Sequence, residues 1–308
     1  MHASFREAAG SIGRFLAAGS VVRSAKNVRN AVVDRAFRRC GRAGGRRFAA
    51  ELSARGIRDA VFTVAFNSPW VVDVLVRAWS RHQAGVPLVV MDNSSDATAR
   101  SAHEVLCARH DVPYLALPWN PEWSPNRSHG IALNWTWFNV VRDADLRFAG
   151  FIDHDCIPVA AHDIRAGMRN LDAYGLYGAS LTHPEAWNLW AGYCFLRPAA
   201  AVGRAVDFKH RIEHGLDTGG GNWRGWYRLL DPRRVGAAGF RWVQPDLGDG
   251  VTAAACLLLD EAFLHLEGAS YRAPFRDARL RQRLTETILE RPLVCRSVPP
   301  PGGGPARP

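Results

Sequence analysis

The chain has 308 residues, of which 47% are hydrophobic and 22% charged, with a formal net charge of +10. This composition is typical of a globular protein with a sizeable core and excludes an intrinsically disordered chain. Residues 1–57 carry twelve Lys or Arg against three acidic residues, so the remainder is close to neutral and does not resemble a basic nucleic-acid-binding domain. The six cysteines are scattered singly, and no run of eighteen apolar residues occurs. Both features favour a cytoplasmic location.

The N-terminal residues 1–57 are predicted to form a basic, amphipathic helical extension. Apolar residues recur at helical spacing among the arginines, with a break expected near 41–45. One interpretation places residues 1–50 on an anionic membrane surface, where each basic residue contributes about 1 kcal/mol. The other is a solvated, partly disordered arm. The sequence leaves both open.

From residue 61 onward, strand patterns alternate with helix patterns. We expect strands at 61–66, 87–91, 113–117, 148–152, 176–181 and 189–196, with helices at 70–83, 97–110, 128–141 and 161–174. This alternation predicts βαβ units and an α/β domain with a mainly parallel central sheet over 58–272. A helical segment (273–298) and a disordered tail (299–308) are expected to follow. The chain contains neither the G-x-G-x-x-G nor the G-x-x-x-x-G-K-[ST] phosphate-binding signature. This argues against a dinucleotide enzyme or a P-loop ATPase.

Two carboxylates stand at the end of the fourth predicted strand. Asp153 and Asp155 follow the apolar run 148–152 directly, and open α/β sheets bind their ligands at the carboxyl ends of strands. Two carboxylates one residue apart can bind one hard cation, which completes its shell with water and phosphate oxygens. The alternative is a loop with two solvated aspartates, because D-x-D is a short motif.

Five motifs occur in a fixed order that resembles the GT-A fold glycosyltransferases, in particular the family 2 group. They are VAFNSPW at 64–70, VVMDNSSD at 89–96, SHGIALN at 128–134, FIDHD at 151–155 and AGYCFLRP at 191–198. The resemblance covers roughly residues 60–270. It implies a GT-A-like sandwich and a metal-dependent enzyme that moves a sugar from a nucleotide-diphospho-sugar to an acceptor hydroxyl with inversion.

The resemblance also implies roles for individual residues. Contacts with the nucleotide-sugar would come from Phe66, Asn67, Asp92, Asn93, His129, Asn134 and Asp153. Mn2+ or Mg2+ would be held by Asp153, Asp155 and the late His265. Asp217 in LDTGG stands where the family supplies its general base. The middle residue of the D-x-D is the bulky His154, and the family's E-D pair is missing at the base position.

The chemistry explains why these residue types are needed. A divalent ion neutralises the charge that develops on a diphosphate leaving group, and a carboxylate takes the proton from an acceptor hydroxyl. Alternatives remain for single residues: Asp92 and Asp217 as turn aspartates, and His265 as a core histidine. For the whole protein they are a nucleotidyltransferase on a related fold and an inactive binding or scaffold protein. The acceptor, whether carbohydrate, lipid-linked or small molecule, is left open.

Overall fold

The computed structural model describes residues 20–83, 85–165, 174–183, 185–248, 251, 253–291 and 293–300. The α-helices are α1 (Ser20–Arg39), α2 (Arg42–Ala54), α3 (Pro69–His82), α4 (Ala97–Arg109), α5 (Pro125–Thr136), α6 (Asn222–Gly225) and α7 (Ala278–Glu290). The strands are β1 (Asp59–Ala65), β2 (Leu88–Asp92), β3 (Tyr114–Ala116), β4 (Phe148–Asp153), β5 (Cys156–Pro158), β6 (Leu176–His183), β7 (Ala186–Leu196), β8 (Gly236–Ala237), β9 (Phe240–Pro245), β10 (Cys256–Leu259), β11 (Phe263–His265) and β12 (Cys295–Ser297). The start of the predicted extension, most of the helix predicted at 161–174 and residues 301–308 of the predicted tail lie outside the described residues.

The central sheet has the strand order β3-β2-β1-β4-β7-β6-β8. Its first four strands pair in parallel, whereas β7 is antiparallel to both of its neighbours. Strands β1 and β2 are buried along their whole length, as expected for apolar runs that are covered on both faces. The predicted α/β fold with a mainly parallel central sheet is therefore confirmed.

A second sheet, with the order β12-β9-β10-β11-β5, is antiparallel throughout. The apolar run at 253–266 folds into its β10–β11 hairpin, whose turn places Asp260 and Glu261 at φ +49° and +53°. Strand β4 of the central sheet is followed, after only two residues, by β5 of the second sheet. The chain thus passes from one sheet to the other at His154 and Asp155.

Helix α5 begins at Pro125, three residues before its predicted start, because proline is well tolerated in the first turn of a helix. It continues as a π-helical turn over Trp137–Val141. The C-terminal helix, α7, begins directly after Asp277, whose side chain caps it by accepting from the Arg279 backbone amide at 2.8 Å.

The basic N-terminal segment is packed onto the domain, with ion pairs from Arg29 to Glu122 and from Asp34 to Arg127 ahead of the buried Phe37. Helices α1 and α2 meet at Gly41, which has a φ of +66°. Phe37, Phe48 and Leu52 are buried in the same core as the side chains on one face of β1 and β4. A Cβ on Gly45 would lie 2.8 Å from the Asn139 carbonyl oxygen, so α2 approaches the π-helical turn closely. The boundary predicted at residue 57 therefore marks a change in charge, while the packing is continuous across it.

Two further observations bear on the setting of the protein. Within the described ranges, every helix is either too short or too polar to cross a bilayer. All six cysteines are free, and four of them, at 107, 156, 194 and 256, are buried.

Candidate active site

The structure brings the three predicted metal ligands together at the point where the chain changes sheets. Asp153 ends β4, Asp155 precedes β5, and the antiparallel register of β5 and β11 sets His265 opposite Cys156. The Nε2 atom of His265 lies 3.3 Å from Asp155 Oδ1 and 3.7 Å from Asp153 Oδ2. One ligand atom from each residue falls within 4.8 Å of the others. We call these three residues the acidic cluster.

Asp155 is fixed by backbone donors from the loop after β11. Its Oδ2 atom accepts hydrogen bonds from the amides of Gly268, at 2.7 Å, and Ala269, at 2.9 Å. Gly268 has a φ of +86°, a conformation that favours glycine. Burial alone would raise the pKa of Asp155, but His265, His154 and the Ala269 amide hold it well below its usual range. Asp155 is therefore an anion whose Oδ1 faces the cluster.

Asp153 has no comparable support. Its buried Oδ1 atom accepts no hydrogen bond from the described residues. Burial, together with the charge of Asp155, raises the pKa of Asp153 to about 7, and the attraction of His265 opposes this rise. A carboxylate oxygen that is buried without a donor is costly. A divalent cation would remove this cost, and two carboxylate oxygens beside one imidazole nitrogen suit such an ion. The residues present thus fit Mn2+ or Mg2+.

His265 lies against the edge of Trp190 on β7, with 4.7 Å between the ring centroids. Burial would lower the pKa of His265, but the charges of Asp155 and Asp153 outweigh it and raise the pKa. The sequence did not single out the Gly268 amide for this site. A glycine three residues after His265, in HLEGAS, was the available signal.

Asp92 lies in the interior of the protein. It is fully buried, and its carboxylate accepts hydrogen bonds from the Ser94 amide at 2.7 Å and the Tyr114 hydroxyl at 2.8 Å, with His103 Nδ1 at 3.0 Å. Burial would raise the pKa of Asp92, but the bonds from His103 and Ser94 lower it to about 2. The sequence predicted a direct contact between Asp92 and a nucleotide, and such a contact needs an exposed carboxylate oxygen. In this structure the carboxylate of Asp92 is not exposed. The turn alternative fits this geometry better.

Replacing Asp92 by Ala is expected to lower the free energy of unfolding by about 3–5 kcal/mol, because it removes the buried carboxylate that accepts from the Ser94 amide and the Tyr114 hydroxyl and lies beside His103. The pKa of Asp92 is lowered from 3.8 to about 2. Its contribution to stability is therefore present above about pH 4 and lost as the pH falls towards 2. Urea unfolding at pH 7 and pH 2.5 should show a smaller difference between variant and wild type at the lower pH. Asp73→Ala, at an exposed pair with Arg77, is the control, and equal stability of Asp92→Ala and wild type would contradict the assignment.

The other residues predicted to contact the nucleotide lie at the ends of β1 and β2. Phe66 is 38% exposed. Asn67, at φ +46°, accepts hydrogen bonds from the amides of Ser95 and Asp96 at 3.0 Å and so ties the two loops together. Asn93 is buried and donates to Ser128 Oγ at 3.1 Å, which links the β2 loop to α5.

Helix α5 holds the last two predicted contacts on different faces. The Nε2 atom of His129 lies 3.6 Å from Asp153 Oδ1, so the structure brings His129 to the acidic cluster. Asn134 instead donates to Asp207 Oδ1 at 2.9 Å and accepts from the Phe208 amide at 2.8 Å. The structure does not bring Asn134 to the cluster, since its side chain is bonded to the loop at 207–208.

Asp217, the predicted base, is exposed in a turn. Its Oδ1 atom accepts from the Thr218 amide at 2.7 Å and from the Thr218 hydroxyl at 3.1 Å. Burial lowers the pKa of His129 to about 4, and the charge of Asp217 opposes this shift. Asp217 is therefore close enough to His129 for its charge to act on the imidazole. An antiparallel bridge between Arg211 and Leu216 sets His210, which the sequence did not single out, beside Asp217.

No protein-family model and no curated protein matches the chain. Among solved structures it is similar to TarS 1–349 from S. aureus, with 14% identity, 49% of this chain and 50% of that chain covered, and a TM-score of 0.34. It is also similar to the mannosyltransferase PcManGT from Pyrobaculum calidifontis in complex with GDP-Man and Mn2+, with 13% identity, 61% of each chain covered and a TM-score of 0.36. A third is glucosyl-3-phosphoglycerate synthase from Mycobacterium tuberculosis in complex with phosphoglyceric acid, with 14% identity, 49% of this chain and 61% of that chain covered, and a TM-score of 0.34. The chain spans less than two thirds of each of these three chains.

Proposed function

We propose that the protein is a metal-dependent glycosyltransferase that moves a sugar from a nucleotide-diphospho-sugar to an acceptor hydroxyl with inversion. The observation that carries the proposal is the acidic cluster at the carboxyl end of β4, where three ligand atoms lie within 4.8 Å of one another. The motif order around it supports the same reaction. Bound by the cluster, Mn2+ or Mg2+ would neutralise the charge that develops on the diphosphate leaving group.

Asp217 is the residue we propose as general base. Both of its hydrogen bonds from Thr218 go to Oδ1, so the carboxylate is oriented while the side chain stays exposed. A carboxylate in this position can take the proton of an acceptor hydroxyl as that oxygen bonds to the anomeric carbon. Because such a reaction is one displacement from the face opposite the diphosphate, it inverts the configuration.

The nucleotide end of the donor is proposed to lie along the ends of β1 and β2. Phe66 offers a partly exposed ring there, and Asn67 and Asn93 fix the loops that border it. We propose that Asp92 supports this surface from below through the Ser94 amide. Asn134 holds the loop at 207–208 in place and has a supporting role as well.

The proposal is tested by thermal shift and donor hydrolysis with a panel of nucleotide-sugars, with and without Mn2+. A donor that stabilises the protein only in the presence of Mn2+, and that is cleaved slowly to free sugar, is the expected result. Binding of Mn2+ and donor without any cleavage is the result expected of an inactive binding protein. If no donor shifts the melting temperature, the transferase proposal fails.

We further propose that the protein is cytoplasmic and binds an anionic membrane surface through α1. Val28 and Val32 are 65% and 61% exposed. Together with the exposed Arg35 and Arg39 they follow the i, i+4, i+7, i+11 spacing of one helical face. Apolar side chains flanked by arginines on one face suit an interfacial helix on anionic lipid.

Val28→Asp is expected to reduce cosedimentation with phosphatidylserine vesicles, and wild-type binding should weaken as salt is raised. Val105→Asp on α4 is the matched control, since Val105 is 55% exposed on another helix. Substitution is preferable to truncation at residue 57, because α2 contributes Phe48 and Leu52 to the core. Equal partitioning of the two variants and wild type would contradict the membrane proposal.

A further inference from the structure

His129 is placed beside the acidic cluster without a bonding partner. Its Nε2 atom is buried, lies 3.6 Å from Asp153 Oδ1 and has no hydrogen-bond partner among the described residues. The Oδ1 atom of Asp153 is likewise buried and without a partner. A nitrogen that can donate thus faces an oxygen that can only accept, at a separation that a shift of a few tenths of an ångström would close.

The two oxygens of Asp153 face different imidazoles. Oδ2 is the atom near His265, at 3.7 Å, whereas Oδ1 is the atom near His129, at 3.6 Å. A carboxylate with no hydrogen bond to either oxygen can rotate about its Cβ–Cγ bond, so that neither oxygen stays directed at the metal. A donor on the oxygen that does not bind the metal is the usual way in which proteins fix such a ligand.

The helix that carries His129 is itself rigidly seated. Ser128 Oγ accepts from Asn93 Nδ2 at 3.1 Å and ties the first turns of α5 to the β2 loop. Gly130 lies so close to the chain that a Cβ there would stand 2.8 Å from Lys209 Cα. These contacts on either side of His129 fix the backbone from which its imidazole reaches Asp153.

We propose that His129 is a positioning residue for the metal site: its Nε2–H donates to Asp153 Oδ1 and so keeps Oδ2 directed into the acidic cluster. The inference rests on the proposed metal-dependent function. His129 acts through Asp153 and does not contact the cation. Its effect should therefore appear in the affinity for the metal alone, before any donor is added.

The test is titration of the full chain with Mn2+, followed by electron paramagnetic resonance of the free and bound ion. His129→Ala is expected to weaken Mn2+ binding by about 10- to 100-fold. His129→Gln, whose amide nitrogen can donate from nearly the same place, is expected to restore most of it. His110→Ala, at the end of α4, is the control and should bind as wild type does. Melting temperatures without metal should agree among all four proteins.

The possible outcomes separate this inference from the function beneath it. If wild type binds Mn2+ and His129→Ala binds it equally well, the positioning role is wrong and the metal site stands. If Ala and Gln weaken binding to the same extent, donation by Nε2 is wrong. If wild type itself does not bind Mn2+, the proposed metal site fails, and the role of His129 fails with it.

Discussion

Asp153→Asn is expected to abolish Mn2+ binding and metal-dependent donor hydrolysis while leaving the metal-free protein at least as stable as wild type. The carboxylate contributes one of the cluster's ligand atoms. Its buried Oδ1 atom has no hydrogen-bond partner among the described residues, and burial raises the pKa of Asp153 to about 7, so ionising it beside Asp155 is costly. An amide of the same shape removes the charge, so the cost of burying that charge disappears together with the site. A stabilising substitution that destroys function is the signature of a binding site.

The contrast with Asp155 makes this prediction specific. Asp155 accepts from two backbone amides, Gly268 and Ala269, at 2.7 and 2.9 Å. Asp155→Ala should therefore lose Mn2+ binding and also lower the unfolding free energy, by about 1–3 kcal/mol for each donor left unsatisfied. Calorimetric titration and thermal unfolding in a chelator would measure both effects. If Asp153→Asn destabilised the metal-free protein as much as Asp155→Ala, the account of Asp153 as an unsupported ligand would be wrong.

The parts of the fold that the sequence predicted well are those with local signals. Strands β1, β2 and β4 are apolar runs bounded by turn residues, and helix α4 ends within one residue of its predicted end. Asp153 and Asp155 were found for the same reason, because the end of an apolar strand can be recognised from a few neighbouring residues.

The site depends on pairings between strands that are far apart in the sequence. His265 reaches Asp155 only because the run at 253–266 splits into a hairpin at Asp260 and Glu261, two non-glycine residues with positive φ, and because β11 then pairs with β5. A sequence pattern gives little warning of such a turn. Register between distant strands is set by packing, which periodicity does not reveal.

The surroundings of Asp92 could not be predicted for a related reason. Its place after an apolar strand is the place of a ligand-binding carboxylate, and the motif was similar to one that has this role. In the structure its Oδ2 atom is bonded by His103 on α4 and Tyr114 on β3. These residues lie eleven and twenty-two positions further along the chain. A carboxylate that faces the protein and one that faces a ligand have the same local sequence.

Asp217→Asn is expected to reduce the rate of donor hydrolysis, or of transfer once an acceptor is known, by about 10²- to 10⁴-fold, because the variant cannot take a proton from the attacking oxygen. Its affinity for Mn2+ should be unchanged, since Asp217 is not one of the cluster's ligands. The turn should persist as well, because an asparagine keeps the Oδ1 atom that accepts from Thr218. A loss in kcat without a loss in metal or donor binding is what distinguishes a base from a residue that only shapes the cleft.

Asp231→Asn is the matched control, since Asp231 also accepts from the backbone of a following residue, Arg233, at 3.1 Å. It should leave both the rate and Mn2+ binding unaltered. If Asp217→Asn turned over at the wild-type rate, Asp217 would be no more than a turn residue. The base would then have to be sought among its neighbours, first at His210, which the bridge between Arg211 and Leu216 sets beside it.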